Sequence, residues 1–216
     1  MGHLSPSSAL GAGAVKVAKA AFTRAEPDAR RASLIEATAR VLARDGASGA
    51  SVRSIAAEAG VSPGLVGHYF EGIDALIAAT YAQVGAKVSA ALDAAMAAAG
   101  ESPRARLLAY ATASFAPPIA DPALLATWVA FWSLVKARPD IAALHDDLYG
   151  AYRRDLETLL AACGVPAADL RLAAIAITAL VDGLWLELCL SPHAFTPAEA
   201  SAIAERHIDA LFPVRP

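Results

Sequence analysis

The sequence predicts an all-α fold, and three observations carry this. Capping residues stand directly before proline at Ser62-Pro63, Ser102-Pro103, Asp121-Pro122 and Thr196-Pro197. Proline's fixed φ and missing N–H suit the first helical turn behind such a cap. Alanine, the strongest helix former, supplies much of the 56% hydrophobic content. No run of alternating β-branched residues argues for a sheet.

The elements follow in order. A helical stripe at Leu34, Thr38, Val41 and Leu42 predicts a helix over 29–45, stopped by Arg44, Asp45 and Gly46. Two short helices are expected at 51–59 and 63–70, then longer ones at 73–99, 103–115, 121–137, 140–163, 166–190 and 197–211. Pro117-Pro118 and Gly164-Val165-Pro166 break the chain between them. Thr196 with Glu199 three residues on reads as a capping box.

With 216 residues, roughly 70% of the unfolded surface can be buried, so a sizeable core needs no staples. The net charge of −3 and the apolar content exclude disorder as a class. Mean hydropathy of +0.45 raises a membrane question. The best span, Leu172 to Leu190, is interrupted by Asp182 and Glu187, so no membrane partner is expected. Cys163 and Cys189 lack CxxC spacing, which argues against a disulfide scaffold or cysteine zinc site and for a reduced, cytoplasmic interior. The N-terminus lacks the pattern of a signal peptide, and residues 1–27 read as a flexible basic arm. Residues 1–70 carry eight Lys/Arg against five Asp/Glu, net +3, while the remainder is net −6. A basic N-terminal third on an acidic chain suggests an anionic partner at that end.

Enzyme readings find no footing. There is no GxSxG, Walker loop, HExxH or Rossmann glycine fingerprint, and the five histidines are scattered. No catalytic residue, cofactor or metal is assigned. A helical enzyme or adaptor with an incidental αα-corner is the non-regulatory alternative.

The informative stretch is Ser51 to Phe70, SVRSIAAEAGVSPGLVGHYF. Ala56 is small where two helices approach. Gly60, four residues on, suits a turn with positive φ. Val61 is an apolar plug, Ser62 caps the second helix and Pro63 opens it. Val52, Ile55, Val66 and one of Tyr69 and Phe70 complete a shared core. This is the helix-turn-helix pattern, whose second helix can enter a major groove.

These residues resemble the DNA-binding domain of TetR-family repressors, strongly from Arg30 to about Leu76. Gly64–Phe70, Thr127–Pro139 and Ala179–Ser191 are most similar to the BetI branch, the repressors of choline-to-betaine operons. The resemblance implies a helix-turn-helix domain at 28–72 and a helical effector-binding and dimerisation domain at 73–216. It implies that Ser51 and Arg53 touch phosphates, and that Ser62, Pro63, Gly64 and Leu65 lie near base edges of a double-stranded operator. Gly67, His68 and Tyr69 match positions near the backbone or bases, with Gly67 replacing a common tyrosine. Ile73 stands where the family usually has lysine, so that phosphate contact is absent; the amide end of the helix there can still face a phosphate.

In the C-terminal two thirds, Trp128, Phe131 and Trp132 share a helical face, and Asp182 and Trp185 are i, i+3 on an otherwise apolar helix. A buried acid needs a partner. Indole rings with a carboxylate can hold a quaternary ammonium such as choline; Tyr149 and Tyr152 are further candidates. The alternatives are that the tryptophans are core and Asp182 is paired internally, or that a neutral or anionic apolar effector fills the same space. Helices 166–190 and 197–211 are more apolar than surface helices need to be, and in the resembling family such a pair forms a homodimer bundle.

Overall fold

The computed structural model describes the backbone of residues 12–212 and side chains from residue 27. Among the described residues the chain forms nine α-helices: α1 Ala12–Gly49, α2 Val52–Glu58, α3 Pro63–Tyr69, α4 Ile73–Ala98, α5 Pro103–Thr112, α6 Pro122–Val135, α7 Pro139–Ala162, α8 Leu170–Leu190 and α9 Pro197–Asp209. A 3-10 turn, Ala113–Phe115, follows α5. No strand occurs among the described residues.

The first helix starts earlier than its apolar stripe implies: α1 begins at Ala12 and runs through Pro27, so residues 12–27 of the expected flexible arm are drawn as helix. Residues 1–11 of that arm lie outside the described residues. At the other end, Gly46 breaks the helix with φ 68° and ψ −175°, where the sequence places the stop. The expected capping box at Thr196 is present: the Thr196 hydroxyl accepts from Glu199 N, and Glu199 accepts from Thr196 N. Asp121 caps α6 by accepting from Ala123 N and Leu124 N.

Two apolar clusters organise the bundle. The smaller joins Leu34, Ile35 and Val41 of α1 to Ile55 and Ala56 of α2, Val66 and Phe70 around α3, and Leu76 of α4. The larger takes Leu42 from α1, Ile77 and Tyr81 from α4, and residues of α5 through α9. Consecutive side chains of one helix point about 100° apart, so α1 and α4 each contribute to both clusters through neighbouring residues. These two helices therefore tie the clusters together mechanically.

By length and composition α4 and α8 are apolar enough to cross a bilayer; each buries one face against neighbouring helices. On α8 the outward face keeps Leu172 and Leu190 both 65% exposed, with Ile175 also exposed. α9 is less apolar than expected. Ala200, Ala204 and Ile208 face the core, while Glu205 and Asp209 pair outside with Arg104 of α5.

Candidate functional site

The α2–α3 corner is built as the spacing requires. Ala56 and Val66 are fully buried, Gly60 turns with φ 66°, and Val61 N donates to Ala56 O at 2.9 Å. Phe70 is the core aromatic, while Tyr69 stays half-exposed and meets the His68 ring edge-on at 5.0 Å. Ser62, Pro63, Gly64, Gly67 and His68 form an exposed face, with Leu65 at its edge. A Cβ at Gly64 or Gly67 would meet nothing within 4 Å, so no neighbour inside the protein demands glycine there.

Two local details depart from the sequence reading. Ser62 occupies the N-cap position of α3 but its side chain makes no capping bond. The working cap lies one helix earlier, where Ser51 Oγ accepts from Ser54 N at 3.0 Å and Ser54 Oγ accepts from Ser51 N at 2.9 Å. Ser51's hydroxyl is thus engaged within the protein.

The basic surplus is also partly spent internally. Arg40 and Arg44 both grip Glu58 at 2.7 Å, holding its carboxyl below the usual range and locking α1 against α2. Arg31 sits 4.9 Å over the Phe70 ring. Arg53 is exposed and has no ion pair among the described residues. At Ile73, the α4 N-terminus carries Asp74 in its first turn, bonded at 2.6 Å by Arg138 from the start of α7. A carboxylate there already complements the helix dipole, which makes this end a poor phosphate cradle.

The larger cluster contains a cavity of about 70 Å³. A single water needs only about 10–15 Å³ on the same measure, so a small organic group fits with modest adjustment. Trp128, Asp182, Trp185, Tyr149 and Tyr152 line it, with Val88, Ser89, Leu92, Ser114, Ile119, Leu148 and Val181. The structure thus brings three of the five expected effector residues to one space. Phe131 and Trp132 do not line it. Phe131 is fully buried behind Trp128, with ring centroids 5.8 Å apart, and packs on Tyr81 at 4.5 Å. Trp132 backs Trp185 edge-on at 6.4 Å. A stripe at i, i+3 and i+4 is wider than one cavity mouth, so only its Trp128 edge reaches inside.

Burial pushes the Asp182 carboxyl up to about 6, against opposing pulls from the Tyr149 hydroxyl and the Arg153 charge. Tyr149 is raised strongly by its own burial and then by the nearby Asp182 charge. Tyr152 is raised by the same two causes, burial first. Behind Tyr149, His145 lies 4.3 Å away ring to ring, is lowered by burial, and shares a 3.1 Å hydrogen bond with the Tyr81 hydroxyl. The cavity is therefore an aromatic box around one poorly solvated carboxylate, with no lysine or arginine in its lining. Sequence spacing missed Val88, Ser89 and Leu92 of α4 and Ser114 and Ile119 near the 3-10 turn, because their place depends on how α4 packs against α5, α7 and that turn.

Residues 34–80 match the family described as bacterial regulatory proteins, tetR family, and residues 103–213 match the BetI-type transcriptional repressor C-terminal family. The chain is similar to the HTH-type transcriptional regulator BetI of Burkholderia thailandensis, at 38% identity over 86% of this chain and 95% of that one. A transcriptional regulator of Pseudomonas aeruginosa PAO1 is similar in structure, with 45% identity, TM-score 0.81, and coverage of 88% and 93% of the two chains. A Saccharomonospora viridis regulator crystallised in complex with choline shares the fold at TM-score 0.71 and 20% identity, with coverage of 83% and 95%.

Proposed function

The chain belongs to the TetR family of bacterial regulatory proteins, with a BetI-type C-terminal domain, and we propose that a small quaternary ammonium effector releases it, as a homodimer, from a palindromic operator. It is a DNA-binding transcriptional regulator and not an enzyme. In this reading α3 enters the major groove. Ser62, Pro63, Gly64 and Leu65 approach base edges, and Gly67 lets the helix come close. Arg53, His68 and Tyr69 serve the phosphate backbone, while Ser51 acts by fixing the start of α2. With so few strong hydrogen-bonding side chains on α3, specificity rests partly on contact with thymine methyls and on DNA shape.

A two-fold operator asks for a two-fold protein, with recognition helices about one duplex turn, roughly 34–36 Å, or a multiple of it apart. The exposed apolar face of α8, with Leu172, Ile175 and Leu190, supports the pairing surface. The relatives are bacterial transcriptional regulators, which supports a cytoplasmic location.

The observation that carries the effector reading is Asp182, a buried carboxylate inside an aromatic cavity lined by no positive side chain. A quaternary ammonium supplies the missing charge and meets the indole and phenol faces of Trp128, Trp185, Tyr149 and Tyr152, at about 0.5–2 kcal/mol per cation–π contact. The choline complex of the Saccharomonospora viridis relative supports the same chemistry. The ligand must bind the DNA-free state better, since equal affinity for both states shifts nothing. A gel shift on the gene's own upstream region, read with tryptophan fluorescence, tests this. Choline or betaine aldehyde should quench the tryptophans and abolish the shift. An unchanged shift and no quench, with Asp182→Asn still answering a different effector, would leave an apolar neutral or anionic ligand in the cavity.

A further inference from the structure

We infer that the groove between α1, α4 and the start of α6 is a second ligand site, and that it takes a monocarboxylate with a short alkyl tail. Its volume is about 300 Å³, at the lower end of the range of about 300–1,000 Å³ in which small-molecule sites fall. Ala39 of α1, Val84 and Val88 of α4, Ile119 and Leu124 give it apolar walls. The groove continues past Ile35 and Gln83 into a further space of about 240 Å³, and Arg40 and Lys87 line both parts. It meets the aromatic cavity only at Val88 and Ile119, which line both spaces. Neither Asp182 nor any aromatic side chain lines it, so this site stands apart from the cationic reading of that cavity. A ligand lodged here touches α1 and α4, the two helices that contribute to both apolar clusters.

Charge decides the ligand's sign. The aromatic cavity holds a carboxylate and no cation, whereas the main part of the groove sets two cations, Arg40 and Lys87, against one acid, Asp121. That acid is already engaged: its Oδ1 accepts from Ala123 N and Leu124 N, at a helix end whose dipole favours a negative charge. Lys87 is exposed and makes no ion pair among the described residues. Arg40 gives its Nε to Glu58 at 2.7 Å, and its terminal nitrogens make no hydrogen bond among the described residues. A carboxylate suits both groups, and Coulomb attraction acts over several ångströms, so the two cations need not share one oxygen. The tail then covers the apolar walls, which favour each buried methylene. A second carboxylate on the ligand would meet those walls or Asp121, and an alkyl cation would be repelled by Lys87.

The test titrates hexanoate, acetate and hexanol calorimetrically into the full-length protein at low salt. Hexanoate should bind about tenfold or more tighter than either acetate, which lacks the tail, or hexanol, which lacks the charge. Added salt should weaken hexanoate and leave hexanol unchanged. Lys87→Gln, at an exposed position, should weaken hexanoate severalfold and leave hexanol within about twofold, and Lys87→Arg should keep most of the hexanoate affinity. Lys136→Gln removes the same charge at the opposite end of α6 and should leave hexanoate within about twofold. Hexanoate binding that Lys87→Gln does not diminish places the carboxylate elsewhere, the aromatic cavity included, and overturns the inference. An equal loss in Lys136→Gln overturns it as well, since that is a change in the overall field of the protein. Equal affinity for hexanoate and hexanol removes the anion from the reading, and no hexanoate binding at millimolar concentration removes the site.

Discussion

The Thr127 hydroxyl lies 3.3 Å from the carbonyl oxygen of Ala39, one residue along α6 from the Trp128 indole that lines the aromatic cavity. It also donates to Ala123 O within its own helix at 2.8 Å. One residue of α6 thus touches α1, which helps build the smaller cluster, and the next lines the cavity. With Arg138 bonding Asp74 from the start of α7, this gives two polar links, one from α6 to α1 and one from α7 to α4.

Thr127→Val should separate sensing from response. The substitution retains the branched shape at a buried position but removes the bond to Ala39. Effector affinity should change little, while the effector concentration needed to release DNA should shift by an amount equivalent to about 0.5–2 kcal/mol. Parallel fluorescence and gel-shift titrations check this; unchanged release would mean that α6 and α1 communicate by packing alone.

Arg53→Ala should weaken binding to all DNA sequences about equally and lower the salt slope by about one. Affinities measured across a salt series on operator and scrambled duplexes decide it. A changed base preference at constant slope would move Arg53 from the backbone to a base.

Leu172→Glu, on the exposed face of α8, should give a folded monomer that loses operator binding, as read by sedimentation and gel shift. Ile177, on the same helix, is only 1% exposed within the single chain. Ile177→Ala should therefore cost about 2–5 kcal/mol of stability as a core truncation, visible in a denaturant melt. A wild type that stays monomeric at micromolar concentration would remove the interface.

Asp182 sets a pH dependence with a definite sign. Its folded pKa of about 6 lies above the ordinary 3.8, so the ligand-free folded chain binds this proton more tightly than the unfolded chain. Stability from this group is fully present below about pH 4 and is lost as pH rises to about 6; the loss is on the order of 3 kcal/mol. Asp182→Asn should flatten that part of the stability profile and be more stable than wild type at pH 7. Cation affinity should run the opposite way, falling as pH drops below about 6 because the carboxylate becomes neutral. Melts from pH 4 to 7.5, with and without choline, follow both.

Much of the fold was legible because its signals are local. A capping residue before Pro103 or Pro122 settles a helix start by the bonding of a few adjacent atoms, and Gly46 and Gly60 mark places where backbone φ turns positive. The α2–α3 corner is legible for the same reason: Ala56, Gly60 and Val61 act on one another across a handful of residues. Other features required the packed chain. Arg40 and Arg44 read as surplus charge until Glu58 closes on them from another helix. Ile177 and Leu172 belong to one apolar helix, and only the neighbours of α8 decide which is core and which is surface. Phe131 and Trp128 share a stripe, but the cavity takes one and buries the other. The carboxylate of Asp182 stands out in the sequence by being charged among apolar residues, whereas its aromatic surroundings are assembled from α6, α7 and α8. Side-chain identity and short spacing determine where helices begin, turn and end; burial and electrostatic environment are sums over residues distant in sequence, and exist only once the helices have docked.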